Sequence, residues 1–174
     1  MAEPLTLDQA KAFLRVDGDL ENEIIASAIV EARGWIEWYT GILLTRRSVE
    51  EVLPGFSRKL RSWPIVSVDS VHYVDQASVE QQLEPSSFYA QIGSRPASLS
   101  AANWPRILAG SRVRFVLTAG FASADEINSF SPVLMRTLKE LVTGYFTDRG
   151  TGGLAAELEE RAKDHCRPFR VVRV

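Results

Sequence analysis

The chain has 174 residues, 45% apolar and 24% charged, a net charge of −2 and a single cysteine, Cys166. That length and composition suit one ordinary core and exclude intrinsic disorder of the whole chain, and a lone cysteine closes no internal disulfide. No apolar run reaches the roughly 18 residues of a membrane span, and Met1-Ala2-Glu3-Pro4 lacks the basic and apolar halves of a signal peptide, so a cytosolic protein with no membrane partner is expected.

Thr6, followed by Gln9 and then Ala10, Phe13 and Leu14, is a capping-box start to a short amphipathic helix that should stop near Asp17-Gly18. A longer helix is predicted over about 20–39. Its apolar residues Ile24, Ile25, Ala28, Ile29, Ala32, Trp35, Ile36 and Tyr39 recur at three- and four-residue steps, and Gly41 is placed to cap it. Between about 42 and 121 the pattern changes to short β-like runs. Strands are expected near 43–53, 65–74, 88–92 and 112–118, with turns at Pro54-Gly55 and Ala109-Gly110 and an ordered loop over 93–110 pinned by Trp104. Ser131-Pro132 opens a helix over about 132–148 whose buried face is Leu134, Leu138, Leu141, Val142, Tyr145 and Phe146. Gly150, Gly152 and Gly153 read as a hinge, followed by a short helix from Leu154 to His165 and an extended tail.

The expected fold class is α+β: a small helical bundle, in which the helix at about 20–39 packs with that at about 132–148, plus a β-rich insert and a flexible C-terminal arm. The corresponding division is a core domain over 1–149 and a hinged arm over 150–174. Charge is uneven along it. Residues 1–41 carry eight acids against Lys11, Arg15 and Arg33, whereas residues 161–174 carry five bases against Asp164.

Catalytic patterns are missing. His72 and His165 have no His, Cys or carboxylate neighbour at a metal-ligand spacing, and His165 beside Cys166 is not a catalytic pair, because adjacent residues seldom face each other. The glycines at 150–153 lack the Lys-Ser/Thr of a phosphate loop, and no G-x-S-x-G elbow occurs. No enzyme activity, cofactor or metal is expected. Trp35, Trp38 and Tyr39 widen the apolar surface of the long helix beyond what one sheet would bury. Contact with a neighbouring subunit is one use for the excess, a large internal core the other.

Thr6-Leu7-Asp8-Gln9-Ala10-Lys11 through Leu14-Arg15-Val16-Asp17, then a long helix closing on Tyr39-Thr40-Gly41, resembles the opening of the head-tail connector (adaptor) proteins of long-tailed DNA phages, prophages and gene transfer agents. Pro64 to Asp75 is similar to that family's P-x-x-S-V-x-x-V-x-Y-x-D strand, and Trp104-Pro105, Ala119-Gly120-Phe121, the late helix and an Arg-bearing tail follow in the family's order.

The resemblance implies a structural subunit of the virion head-tail junction, made in the bacterial host cytoplasm. It implies a ring, commonly twelvefold, of copies of the chain between a portal protein and a tail-side stopper or tail-completion protein, with DNA in transit through the channel and no sequence-specific binding. In that setting the segment after 150 is the expected portal-docking arm. Leu154 and Leu158 offer an apolar stripe, Arg161, Arg167, Arg170 and Arg173 offer charge-assisted bonds to carboxylates, and Phe169 is the large anchor. A tail folded back on its own domain is the alternative. A nucleic-acid-binding protein is the alternative function, through Arg46-Arg47 and Arg58-Lys59-Leu60-Arg61, against which stands a pI of about 5.8.

Overall fold

A computed structural model of the chain describes residues 3–56, 59–148 and 153–170. The chain divides into two compact units, one made of Met1–Thr45 with Phe121–Val174 and the other of Arg46–Gly120. The architecture is α+β, with the helices in the first unit and two antiparallel sheets in the second.

The described helices of the first unit are α1 (Leu7–Leu14), α2 (Asn22–Thr40), α3 (Ala124–Phe130), α4 (Pro132–Thr147) and α5 (Gly153–Cys166). The Thr6 hydroxyl accepts the Gln9 N–H at 3.2 Å and the Gln9 side chain accepts the Thr6 N–H at 3.1 Å, the reciprocal cap that starts α1. The helix ends earlier than Asp17-Gly18, because Arg15 turns left-handed at φ 57°. Ile25, Ala28, Ile29, Ala32 and Ile36 form the buried stripe of α2, and Gly41 at φ 72° donates its N–H to the Glu37 carbonyl to end it. Beyond that cap the Thr40 hydroxyl accepts the Ile42 N–H and the Glu37 carboxylate accepts the Leu44 N–H at 2.8 Å. These bonds draw the buried Ile42 and Leu44 into the helical unit, which is why the first strand begins at Arg47 and not near residue 43.

α4 is central in this unit. It packs against α1, α2, α3 and α5 and buries Leu134, Met135, Leu138, Leu141 and Val142. Ser131 precedes Pro132 but makes no side-chain cap, whereas Ser123 caps the unanticipated α3 by accepting the Glu126 N–H. α5 lies on α4. A Cβ on Gly144 would stand 2.9 Å from Leu158 Cδ1 and 3.4 Å from Ala155 Cα, so the glycine permits the close approach, and Ala162 and Cys166 are buried beneath α5. Gly150 and Gly152 of the expected hinge lie outside the described residues, Gly153 is the first residue of α5, and residues 153–170 fall within the helical unit. The expected extended tail begins with a 3-10 turn at Arg167–Phe169.

The second unit holds β1 (Arg47–Leu53), β2 (Lys59–Leu60), β3 (Ile65–Val74), β4 (Glu80–Gln82), β5 (Tyr89–Gln91), β6 (Ala97–Ser100) and β7 (Val113–Ala119). One sheet has the order β1-β7-β3-β4 and the other β2-β6-β5. Strict alternation puts Val113, Phe115, Leu117 and Ala119 of β7 inside. Phe115 faces Glu51 on one side and Val71 on the other. The segment 93–110, expected to be a loop, contains β6. Strands of two to four residues carry too little period to be read from sequence, and the same holds for β2 and β4. Trp104 stacks on Phe56 with ring centroids 4.8 Å apart, and Phe56 meets Tyr73 edge-on.

Two acids organise this unit. Glu51 is buried in β1, and its carboxylate accepts the N–H groups of Arg61, at 2.9 and 3.1 Å, and Ser62, tying the segment after β2 to the first sheet. Asp75 accepts the N–H groups of Ala77 and Val79 and the Gln81 amide, closing the loop between β3 and β4. These bonds, that from Val79 foremost, hold its pKa below the ordinary carboxylate value. The terminal Asp of the family-like strand motif is therefore a turn organiser.

Candidate functional site

The last turns of α2 and the C-terminal segment meet in one aromatic surface. A four-residue step puts Trp35 and Tyr39 on one helix face, and their rings stack 5.2 Å apart with an 11° interplanar angle. Trp38 lies against the Tyr39 edge and remains 74% exposed. The Arg170 guanidinium sits 5.4 Å from the Tyr39 ring centre, a cation–π contact. Phe169 packs against Phe130, which in turn tilts against Phe121.

Among the predicted partner-binding residues, the structure thus gathers Trp35, Trp38, Tyr39 and Arg170 and places Phe169 on α3. It separates the others. Leu154 is exposed near the start of α5, Leu158 is directed at Gly144 on α4, Arg161 pairs loosely with Glu157, and Arg167 pairs with Asp164 at 2.7 Å. Arg173 lies outside the described residues.

Burial pushes the Cys166 thiol up to about 11, although a hydrogen bond from Thr137 opposes the shift, so the thiolate nucleophile is scarce at neutral pH. Tyr145 is likewise raised above its ordinary value, by burial first and then by its 2.8 Å hydrogen bond to Glu159. On the polar face of the first sheet His72 Nε2 lies 2.9 Å from the Ser70 hydroxyl, with Glu80 4.0 Å from His72 Nδ1, a sequence of groups suggestive of a hydrolase. However, Glu80 is exposed, and Arg114 already binds its carboxylate at 2.6 Å and depresses its pKa. It is not free to orient the imidazole. Among the described residues no three His, Cys, Asp or Glu side chains are grouped to hold a metal ion, and no helix is long and apolar enough to cross a membrane.

Sequence reasoning missed Glu51, although an acid between Val49 and Leu53 on the inward face of an alternating strand is a readable signal. It also missed the Glu3–Arg33–Glu37 network, in which Arg33 bonds both carboxylates at 2.8 and 3.1 Å. Its Glu3–Arg33 bond joins residues 30 positions apart and has no local signature, whereas Arg33–Glu37 is an i,i+4 helix pair.

Residues 4–84, a little under half of the chain, match the model of the phage gp6-like head-tail connector proteins. No curated protein sequence is significantly similar. Among solved structures, a chain from the neck of an empty gene transfer agent particle computed with C6 symmetry is 22% identical, with all of this chain and 94% of that chain covered and a TM-score of 0.76. A chain from the virion of a native gene transfer agent particle is also 22% identical, covering 98% of this chain and 91% of that one at a TM-score of 0.74. A third, from the neck of a native particle computed with C12 symmetry, has 22% identity, 100% and 94% coverage and a TM-score of 0.71. The chain thus carries the sequence pattern of the phage gp6-like head-tail connector family over residues 4–84 and, along its whole length, the fold of chains found in gene transfer agent particles.

Proposed function

We propose that the chain is a structural subunit of the head-tail junction of a phage-like particle, assembling as a ring of copies between a portal protein and a tail-side stopper, with DNA passing through the channel and no catalysis by the chain. The observation that carries this reading is the fold shared over the full length with neck chains of particles treated with C6 and C12 symmetry, joined to the family match in the first half. The exposed Trp38 on the Trp35–Tyr39 stack supports a contact with a neighbouring copy, since a large aromatic left in water is a common interface anchor. Portal docking is assigned to residues after 150, through Leu154, Leu158, Arg161, Arg167, Phe169, Arg170 and Arg173. Leu158 contributes from its seat in α5 against Gly144 of α4, and Phe169 from beside Phe130.

The test is to mix the chain with the portal of its own particle and image the complex. A ring of added density on the portal is expected, weakening as salt rises because the arginines act through charge. Phe169→Ala should reduce portal affinity by about 2 kcal/mol or more, roughly thirtyfold. A chain that ignores portal at low salt overturns the reading. If the chain instead holds duplex DNA through Arg46, Arg47, Arg58, Lys59 and Arg61, the nucleic-acid reading replaces it.

A further inference from the structure

The two units carry opposite charge. Residues 1–45 with 121–174 hold eleven basic and sixteen acidic residues, and residues 46–120 hold nine basic and six acidic. The imbalance is local on each. In the sheet unit the turn after Trp104 is fixed by the Asp75–Ile107 bridge, the Leu108 N–H bond to the Val74 carbonyl and the Ser111 N–H bond to the Leu108 carbonyl. This turn presents Arg106 and Arg112, both exposed and, like Lys59 of β2 and Arg61 just after it, in no ion pair among the described residues. Asp75, the neighbouring acid, has its carboxylate taken up by the β3–β4 loop.

The corner between α1 and α2 has the complementary character. Asp17 and Glu23 are exposed with no cationic partner among the described residues, Lys11 is engaged by Asp19, and Arg15 is the neighbouring offset. Between these acids Leu20 is fully exposed, and Ile24 next to Glu23 is 42% exposed, which leaves apolar surface open at this corner.

We infer that the Arg106–Arg112 turn of one copy docks on the Asp17–Ile24 corner of the next copy. This rests on the ring reading above and specifies one of its contacts. Closing a ring requires a heterologous contact, in which two different surfaces meet. Opposite charges flanking an apolar patch supply both the pairing and the reason it does not pair like with like.

Leu20→Cys and Ala109→Cys place thiols at the centre of each surface without altering its charges, and the native Cys166 is buried. A short bismaleimide should join the two variants when they are mixed and join neither variant to itself. The yield should fall several-fold when salt shortens the screening distance from about 10 Å to about 3 Å. Arg106→Glu with Arg112→Glu on the Ala109→Cys chain should abolish the cross-link, and Asp17→Lys with Glu23→Lys on the other chain should restore it. No cross-link in the mixture, equal cross-linking of either variant alone, or indifference to charge reversal would each overturn the inference. So would a turn that binds duplex DNA, loses it on charge reversal and never cross-links. Normal rings on portal from chains with the reversed turn would reject this contact alone, whereas no association with portal would reject the ring reading itself.

Discussion

Glu51 shows how one side chain joins two sheets. Its buried carboxylate accepts two part-buried backbone N–H groups, and a hydrogen bond to a charged group contributes about 1.5–3 kcal/mol. Glu51→Ala is therefore expected to destabilise the chain by about 2–5 kcal/mol, and Glu51→Gln, which keeps an acceptor oxygen, by less. Urea unfolding curves of the three proteins check the order. Cys166 supplies a second test at this scale. Its folded pKa lies above the ordinary thiol value of 9.0, so as pH rises the unfolded chain loses its proton first. Stability contributed by the neutral thiol is thus present below about 9 and declines toward about 11. Cys166→Ala should flatten that alkaline decline in melting temperature. In the native protein the thiol should also react with iodoacetamide far more slowly than in urea, and equal rates would show it is not buried.

At the scale of elements, α4 is the piece on which the helical unit depends. Ile29 on α2 and Leu138 on α4 are both buried, and replacing either by Ala should cost about 2–5 kcal/mol, measured by chemical denaturation. Gly144 tests the seat of α5 separately. Gly144→Ala gains about 1 kcal/mol of helix propensity against a contact with the movable tip of Leu158, so little change is expected. Gly144→Leu has no room before the Ala155 backbone and should cost about 1–3 kcal/mol. If Gly144→Leu left stability untouched, the close packing of α5 on α4 would be wrong.

For the whole molecule, the position of residues 153–170 decides between a self-sufficient core and one completed by its C-terminus. α5 buries Ala162 and Cys166 and sets Leu158 against α4. A chain ending at residue 152 should therefore melt lower by at least roughly 5 °C, since 1 kcal/mol moves a domain of this size by about 2–4 °C. Circular dichroism of the truncated and intact chains checks this, and coincident melts would mean that the segment adds nothing to the fold. Phe169→Ala, which leaves α5 in place, separates loss of stability from loss of portal affinity.

Local chemistry was legible from the sequence. The Thr6–Gln9 cap, the α2 stripe ending at Gly41 and the strands near 65–74 and 112–118 all involve residues within a few positions of one another. The α+β class and the family resemblance followed from those patterns taken in order. What depends on residues far apart in the chain was not legible. Glu51 meets Arg61 and Ser62 only because β1 and the segment after β2 fold together, and Gly144 matters only because Leu158 arrives beside it. α5 looks marginal alone, since a short helix of few apolar residues is unstable in water. The tertiary structure alone decided where it rests, because the groove that receives it belongs to another helix.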